Sequence, residues 1–229
     1  MFCYDALCHL ESNTIPQKLL LVITTDLTAI PKLVNLRQQY PKQAKIGFAI
    51  HPWFIHNSEL TGLKQLIEEY KPDFIGEIGL DYLKPQPELQ RKIFSAQLNL
   101  AEEYNLPVII HCIRAYNDVL NLIRKYNTRG IIHGFNAHAI LAKEFTDLGY
   151  LIGVGSNITK NTKIAKSINN IGINNLVFES DAPFMPGFGN TYSVSNDTFL
   201  YAQIAARKLD INLIDLIEQS NNNLIKLFK

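Results

Sequence analysis

Histidines and carboxylates recur at one kind of place in this sequence, the downstream end of a short apolar run. His9 closes the run in "YDALCHLES", and His51 follows "AKIGFAI". Glu77 and Asp81 fall in "FIGEIGLDY", His111 ends "PVIIH", His133 lies in "GIIHGF", and Glu179 and Asp181 close "NLVFESD". Imidazoles and carboxylates are the groups of general acid–base chemistry and of metal ligation. A lone histidine in such a place is ordinarily a half-buried packing residue with one hydrogen-bond partner. A set of them would need a separate buried partner for each, whereas one shared cation satisfies all of them together. Imidazole plus carboxylate suits Zn²⁺, Mn²⁺ or Fe²⁺ better than Ca²⁺. Two further histidines, His56 and His138, do not stand at such ends. His9 raises a question of its own, because Leu7, two residues earlier on the same strand face, stands where a partner ligand would sit.

For these side chains to meet, the runs must be strands of one sheet. Eight runs rich in Ile, Val and Phe cover 3–10, 19–25, 44–50, 74–80, 107–112, 130–135, 150–155 and 175–181. Between most of them the period becomes helical, as in Leu63, Leu66, Ile67 and Tyr70 and across 88–105. Nearly continuous apolar strands alternating with helices imply a parallel sheet covered by helices. Eight is the strand count of a (β/α)₈ TIM barrel, whose chemistry gathers at the C-terminal strand ends; an open doubly wound sheet is the alternative. The connection from Glu11 to Lys18, with Pro16 inside it, is shorter than a βαβ crossover, so the first crossover helix is expected to be shortened or missing. After Asp181 a Gly-, Pro- and Asn-rich loop leads to helical stretches at 197–209 and 212–227, with "QSNNN" expected to interrupt the second. Nothing in the composition marks a boundary, so residues 1–229 are read as a single domain.

The 229 residues carry a formal net charge of +1, which excludes the broad basic footprint of a non-specific nucleic-acid binder. A small anion or a short stretch of nucleic acid remains allowed. Cys3, Cys8 and Cys112 are odd in number and lie in apolar runs, so a disulfide framework is not expected. The start "MFCYDALCHLE" has no basic n-region, and no run approaches the roughly 18 apolar residues of a spanning helix. A soluble cytoplasmic protein with no membrane association and no obligate protein partner is expected.

The order of motifs resembles the TatD-type metal-dependent deoxyribonucleases, a branch of the amidohydrolase-like barrels. "DALCHL" stands for the family's D-T-H-C-H-L, "IHPW" for G-x-H-P, "IGEIGLDY" matches almost letter for letter, and "LPVIIHC", "IIHGF", "FESDAP" and "NLIKLF" follow. The resemblance implies a dinuclear site of six ligands, at Leu7, His9, Glu77, His111, His133 and Asp181. Five of the six are ligand-type residues, and His9 is the survivor of an H-x-H pair. One divalent cation would be held by Glu77, His111 and His133. A second would keep His9, Glu77 and Asp181, with Zn, Mg or Mn as candidates for one or both ions. Other departures are Ile113 where the family has Arg, with Arg114 one place later, "GFNA" with Ala137 replacing a glycine, and Ala49 in G-x-H-P. The family's R-N-E-P motif has no counterpart beyond "VSNDT" around Asn196.

The implied chemistry is metal-assisted phosphodiester hydrolysis of DNA ends or single strands, with Glu77 bridging and Asp181 as general base. His51, Tyr82 and Arg114 are candidate substrate contacts, Tyr82 being equally readable as barrel-rim packing. Asp81 either caps the next helix or holds a ligand histidine by its ring N–H, and Glu179 is read as another such partner. Lys84 and the aromatic Phe184, Phe188 and Tyr192 are further candidates for the phosphate and for an unpaired base. Cys8 and Cys112 should face away as core residues. Two other readings compete: a hydrolase of a small amide, lactone or ester on the same metals, and a degenerate barrel without turnover, which the loss at Leu7 favours and the retained ligands oppose.

Overall fold

The computed structural model describes residues 2–12, 18–55, 59–160, 162–185 and 192–229. The strands are β1 Asp5–His9, β2 Leu20–Thr24, β3 Ala44–Phe48, β4 Phe74–Asp81, β5 Val108–Ile113, β6 Gly130–Ile132, β7 Leu151–Val154 and β8 Leu176–Phe178. Each pairs with the next in chain order, all in parallel. The ring closes where the chain leaving β8 meets β1. Cys8 and Ala182 form a parallel bridge, the His9 N–H donates to Ala182 O at 2.8 Å, and the Asp181 N–H donates to Leu7 O at 2.9 Å. This is the (β/α)₈ barrel expected from the eight runs, not an open sheet.

The helices are α1 Ile30–Gln39, α2 Glu59–Tyr70, α3 Pro87–Glu103, α4 Tyr116–Ile123, α5 Ala139–Asp147, α6 Thr162–Ile171, α7 Asp197–Leu209 and α8 Leu213–Leu227. Between β1 and β2 the described residues carry a 3₁₀ turn, Leu10–Ser12, and no α-helix, as the short connection requires; Pro16 lies outside the described residues. Strands buried on both faces explain the continuous apolar runs. In β2, Leu21 and Ile23 enter the barrel interior while Leu20 and Val22 pack outward with Leu33 of α1 and Cys8. Cys112 likewise joins the outer core, and Cys3, Cys8 and Cys112 are buried and not joined in a disulfide among the described residues. An apolar interior layer of Leu7, Ile109, Ile131 and Val177 lies one pleat below His9, His111, His133 and Glu179.

One expectation is corrected. The "QSNNN" stretch does not break its helix, because α8 runs unbroken from Leu213 to Leu227. Its asparagines find partners beyond the helix. Asn221 Oδ1 accepts the Tyr4 N–H at 2.8 Å, and Asn223 Nδ2 donates to Ile173 O and Leu176 O, both at 2.9 Å. These bonds press α8 against the N-terminal end of the barrel, where Leu224 and Leu227 complete the interior cluster.

Candidate metal centre

Delivery of the central carboxylate depends on a close approach of β4 to β5. Gly79 is paired with His111 at φ 142°, and a Cβ there would fall 2.0 Å from His111 O. Only glycine allows this contact. Gly153 of β7 does similar work for Glu179, since a Cβ would lie 2.2 Å from Glu179 Oε2. Asp181 lies three residues beyond β8, in a left-handed conformation with φ 52°. Sparsely populated backbone of this kind clusters at functional sites.

Glu77 stands at the centre of the cluster, with its two oxygens facing different neighbours. Oε1 is 2.6 Å from His133 Nε2, 3.3 Å from His111 Nδ1 and 3.8 Å from His51 Nε2. Oε2 is 3.6 Å from His9 Nε2, which is itself 3.0 Å from Asp181 Oδ1. The donor atoms of His9, Glu77 and Asp181 all lie within 4.8 Å of one another, as do those of His51, Glu77 and His111. His133 Nε2 faces the second group, 3.2 Å from His111 Nδ1.

Ring orientation separates ligands from donors. His111 gives its Nε2–H to Asp81 Oδ2 at 3.1 Å, so that loss of the Nδ1 proton facing Glu77 would free a lone pair for a cation. Of the two roles open to Asp81 from the sequence, it fills the one toward the histidine, while its Oδ1 accepts the Leu83 N–H at 2.9 Å. His51 is arranged the other way. Its Nδ1 accepts the Trp53 N–H at 3.1 Å, so the neutral ring carries its proton on Nε2, aimed into the cluster. Burial pushes the His51 pKa down to about 3, keeping it neutral. It therefore offers an N–H and not a lone pair, and ligation falls to the other side chains.

The electrostatics favour positive charge at this point. Burial opposes ionisation of His9, His111 and His133, yet their carboxylate neighbours outweigh it and raise all three, His133 to about 10 through Glu77. Against its own burial, Glu77 is held well below the usual carboxylate range by the His133 charge and the hydrogen bonds of His111 and His133. Burial likewise works against Asp81, but hydrogen bonds from His111, Trp53 and Leu83 bring it to about 2. Glu179 moves the other way. Burial pushes it up to about 7 despite His133 and the Gly134 N–H it accepts. Its Oε1 is 3.9 Å from the otherwise unpartnered His133 Nδ1. A divalent cation answers the same field as these protons, and the donor set fits one or two of them.

The cluster forms the floor of a cavity of about 420 Å³ at the C-terminal strand ends. His9, His51, Glu77, Asp81, His111, His133, Glu179 and Asp181 all line it, and Trp53, Phe54, Leu83 and Phe184 form apolar parts of its wall. Two expected substrate contacts do not join them. Tyr82 has its hydroxyl taken up by Asp118 and by Arg91, whose Nη1 donates at 2.6 Å, which fixes the ring between α3 and α4. Arg114 is exposed beside the wall residue Ile113, with a left-handed φ of 54°. Phe184 sits edge-on to His9 with ring centroids 4.5 Å apart, Tyr192 is exposed and not among the lining residues, and Phe188 and His56 lie outside the described residues. Exposed His138 occupies the N-cap position of α5. Leu7 is fully buried in the apolar layer below. Trp53 went unnoticed in the sequence, although it follows His51 by two residues in "IHPW".

A family profile described as TatD related DNase matches residues 11–229. An uncharacterized metal-dependent hydrolase of Haemophilus influenzae is 32% identical over 185 residues, 74% of this chain and 71% of the relative. The human protein named Deoxyribonuclease TATDN3 is 27% identical over 175 residues, 71% of this chain and 63% of its own. Among solved structures, YjjV, a TatD homolog from Escherichia coli K12, superposes with a TM-score of 0.88 at 25% identity, covering 99% of this chain and 98% of that one.

Proposed function

The chain belongs to the TatD-related DNase family of metal-dependent hydrolases, and we propose that it hydrolyses phosphodiester bonds at DNA ends or in single strands. The observation that carries this reading is the division of Glu77, with Oε1 toward His111 and His133 and Oε2 toward His9. One carboxylate bridging two adjoining donor groups suits in-line displacement at phosphorus, where attacking and leaving oxygens both need stabilising. Glu77, His111 and His133 would hold one cation, and His9, Glu77 and Asp181 the other. When bound, such cations supply Lewis acidity toward a phosphoryl oxygen and lower the pKa of water to about 7.

The chain's own groups divide the remaining work. Asp181, beside His9 at the cavity floor, accepts the proton of the attacking water. His51 offers its Nε2–H to a phosphoryl oxygen, and Asp81 fixes the His111 ring. The cavity admits a single nucleotide-sized group, and with a net charge of +1 few phosphates beyond it are neutralised. Among the described residues no helix is long and apolar enough to cross a membrane; a cytoplasmic site of action is part of the proposed reading. The test incubates an end-labelled single-stranded oligonucleotide, and its duplex, with Mg²⁺, Mn²⁺ or Zn²⁺, alongside a nitrophenyl ester and a lactone. Chelator-sensitive trimming of the single strand is expected, with a salt dependence of about two or three released counterions. Turnover of the ester or lactone without the oligonucleotide, or steep-salt internal cutting of duplex, overturns the reading.

A further inference from the structure

Trp53 is the one tryptophan of the chain, and its ring lies at the cavity mouth, 50% exposed. Its placement is fixed rather than loose. Nε1–H donates to Asp81 Oδ2 at 2.6 Å, the same oxygen that receives the His111 N–H. The indole stands at right angles to His51 and His111, with ring centroids 5.3 Å and 6.0 Å away. Lys84, which is not part of the cavity wall, places Nζ 4.3 Å from the ring centroid. The Lys84 ammonium thus lies over the ring, which also lines the cavity and stays half exposed to a ligand there. A large flat ring held immobile before the ligand arrives loses little entropy on stacking.

We propose that Trp53 is the stacking platform for the nucleobase next to the phosphate bound at the Glu77 cluster. The occupant must offer an anion to the histidine-rich floor and a flat apolar face to the wall beside it. A nucleotide has both, one sugar apart, and stacking on an aromatic ring accepts any base. The ligand's identity as a nucleotide rests on the phosphodiesterase reading; the platform does not.

The lone indole reports on its own occupancy. Metal-loaded protein is titrated with deoxyadenosine monophosphate, 2-deoxyribose 5-phosphate and inorganic phosphate while tryptophan emission is followed. Saturable quenching by the nucleotide is expected, with affinity roughly ten-fold (about 1.4 kcal/mol) above that of the base-free sugar phosphate. By calorimetry, Trp53→Leu should reduce nucleotide affinity to the level of deoxyribose phosphate, whereas Trp53→Phe, which keeps a ring but loses the bond to Asp81, should retain most of the preference. Equal affinity for the two ligands in the parent protein overturns the proposal, as does a Trp53→Leu variant that weakens both equally, the mark of a merely structural residue. A base preference in binding without DNA turnover defeats the nuclease reading and leaves the platform standing. Equal trimming of ends bearing a base or an abasic residue defeats the platform alone.

Discussion

Replacing Leu7 by histidine tests how the barrel interior and the metal centre share one strand. Leu7 is fully buried, packed with Leu21, Ile23, Ile109, Ile131 and Val177. Taking a leucine out of such a layer forfeits roughly 1.5–3 kcal/mol of transfer free energy. An imidazole buried there without partners costs about 1–3 kcal/mol more. The metal-free variant should therefore lose about 2.5–6 kcal/mol, a large part of the roughly 5–15 kcal/mol that holds a domain folded. Cation binding works in the opposite direction. Residue 7 shares the inward face of β1 with His9, and its carbonyl accepts the Asp181 N–H at 2.9 Å, so a histidine there adjoins the group that is one ligand short. Occupancy at 100 times the dissociation constant stabilises by about 2.7 kcal/mol.

The assay is urea unfolding with chelator and with excess Zn²⁺, paired with elemental analysis. The expected pattern is a weak metal-free variant, a gain from zinc larger than the parent's, and higher occupancy of the cation group formed by His9, Glu77 and Asp181. A metal-free variant as stable as the parent would refute the interior placement of Leu7. Zinc returning no more to the variant than to the parent would show that position 7 is out of reach of a cation.

Two further outcomes are expected. His111→Ala should strip most bound metal and His9→Ala less of it, because Glu77, His111 and His133 form the fuller ligand set; equal losses by elemental analysis would contradict that division. Tyr150 is buried against Thr128, and burial pushes its hydroxyl up to about 12 from 10, the Thr128 bond pulling weakly the other way. A raised folded-state pKa gives stability that is complete below the unfolded value near pH 10 and is lost as pH climbs toward 12. By pH 11 the parent should have lost about 1 kcal/mol that Tyr150→Phe keeps, and parallel urea midpoints at pH 8 and 11 for the two proteins would sink the assignment.

What was legible in the sequence was whatever a strand's own burial writes into it. All five residues of β1 and of β2 and all eight of β4 are buried, so apolar runs located the strands, and a polar residue ending a run marked the site. What was not legible depends on partners far along the chain. The asparagines of α8 look like helix breakers until the Phe2, Ile173 and Leu176 carbonyls accept their amide hydrogens and the Tyr4 N–H donates to Asn221. Tyr82 looks like a rim contact until Arg91 and Asp118 claim its hydroxyl. Trp53 carries no periodic signal, and its bond to Asp81 spans 28 positions.

Leu7, the one position of the six implied by the family resemblance that carries no ligand-type residue, lies at the seam where the chain leaving β8 meets β1, and the construction of the barrel explains why that seam tolerates it. His111 is held in β5 by a ladder with β4 that is continuous from Ile78 to Asp81, Glu77 directly precedes that ladder at a register shift, and His133 directly follows β6 with its N–H donated to Ile110 O at 3.1 Å. At the seam, by contrast, Asp181 lies beyond its strand and is placed by side chains. Buried Asp5 accepts the Ser180 N–H at 2.9 Å and the Ser180 hydroxyl at 2.7 Å, and Ser180 Oγ in turn accepts the Ala182 N–H at 3.1 Å. This clamp, with the Leu7 carbonyl accepting the Asp181 N–H at 2.9 Å, carries Asp181 to His9 without help from the side chain of residue 7. A ligand could therefore be exchanged for a core leucine at the seam while the remaining two stayed in register, whereas the same exchange at His111 would remove a donor that Asp81, Trp53 and Gly79 are all arranged to position.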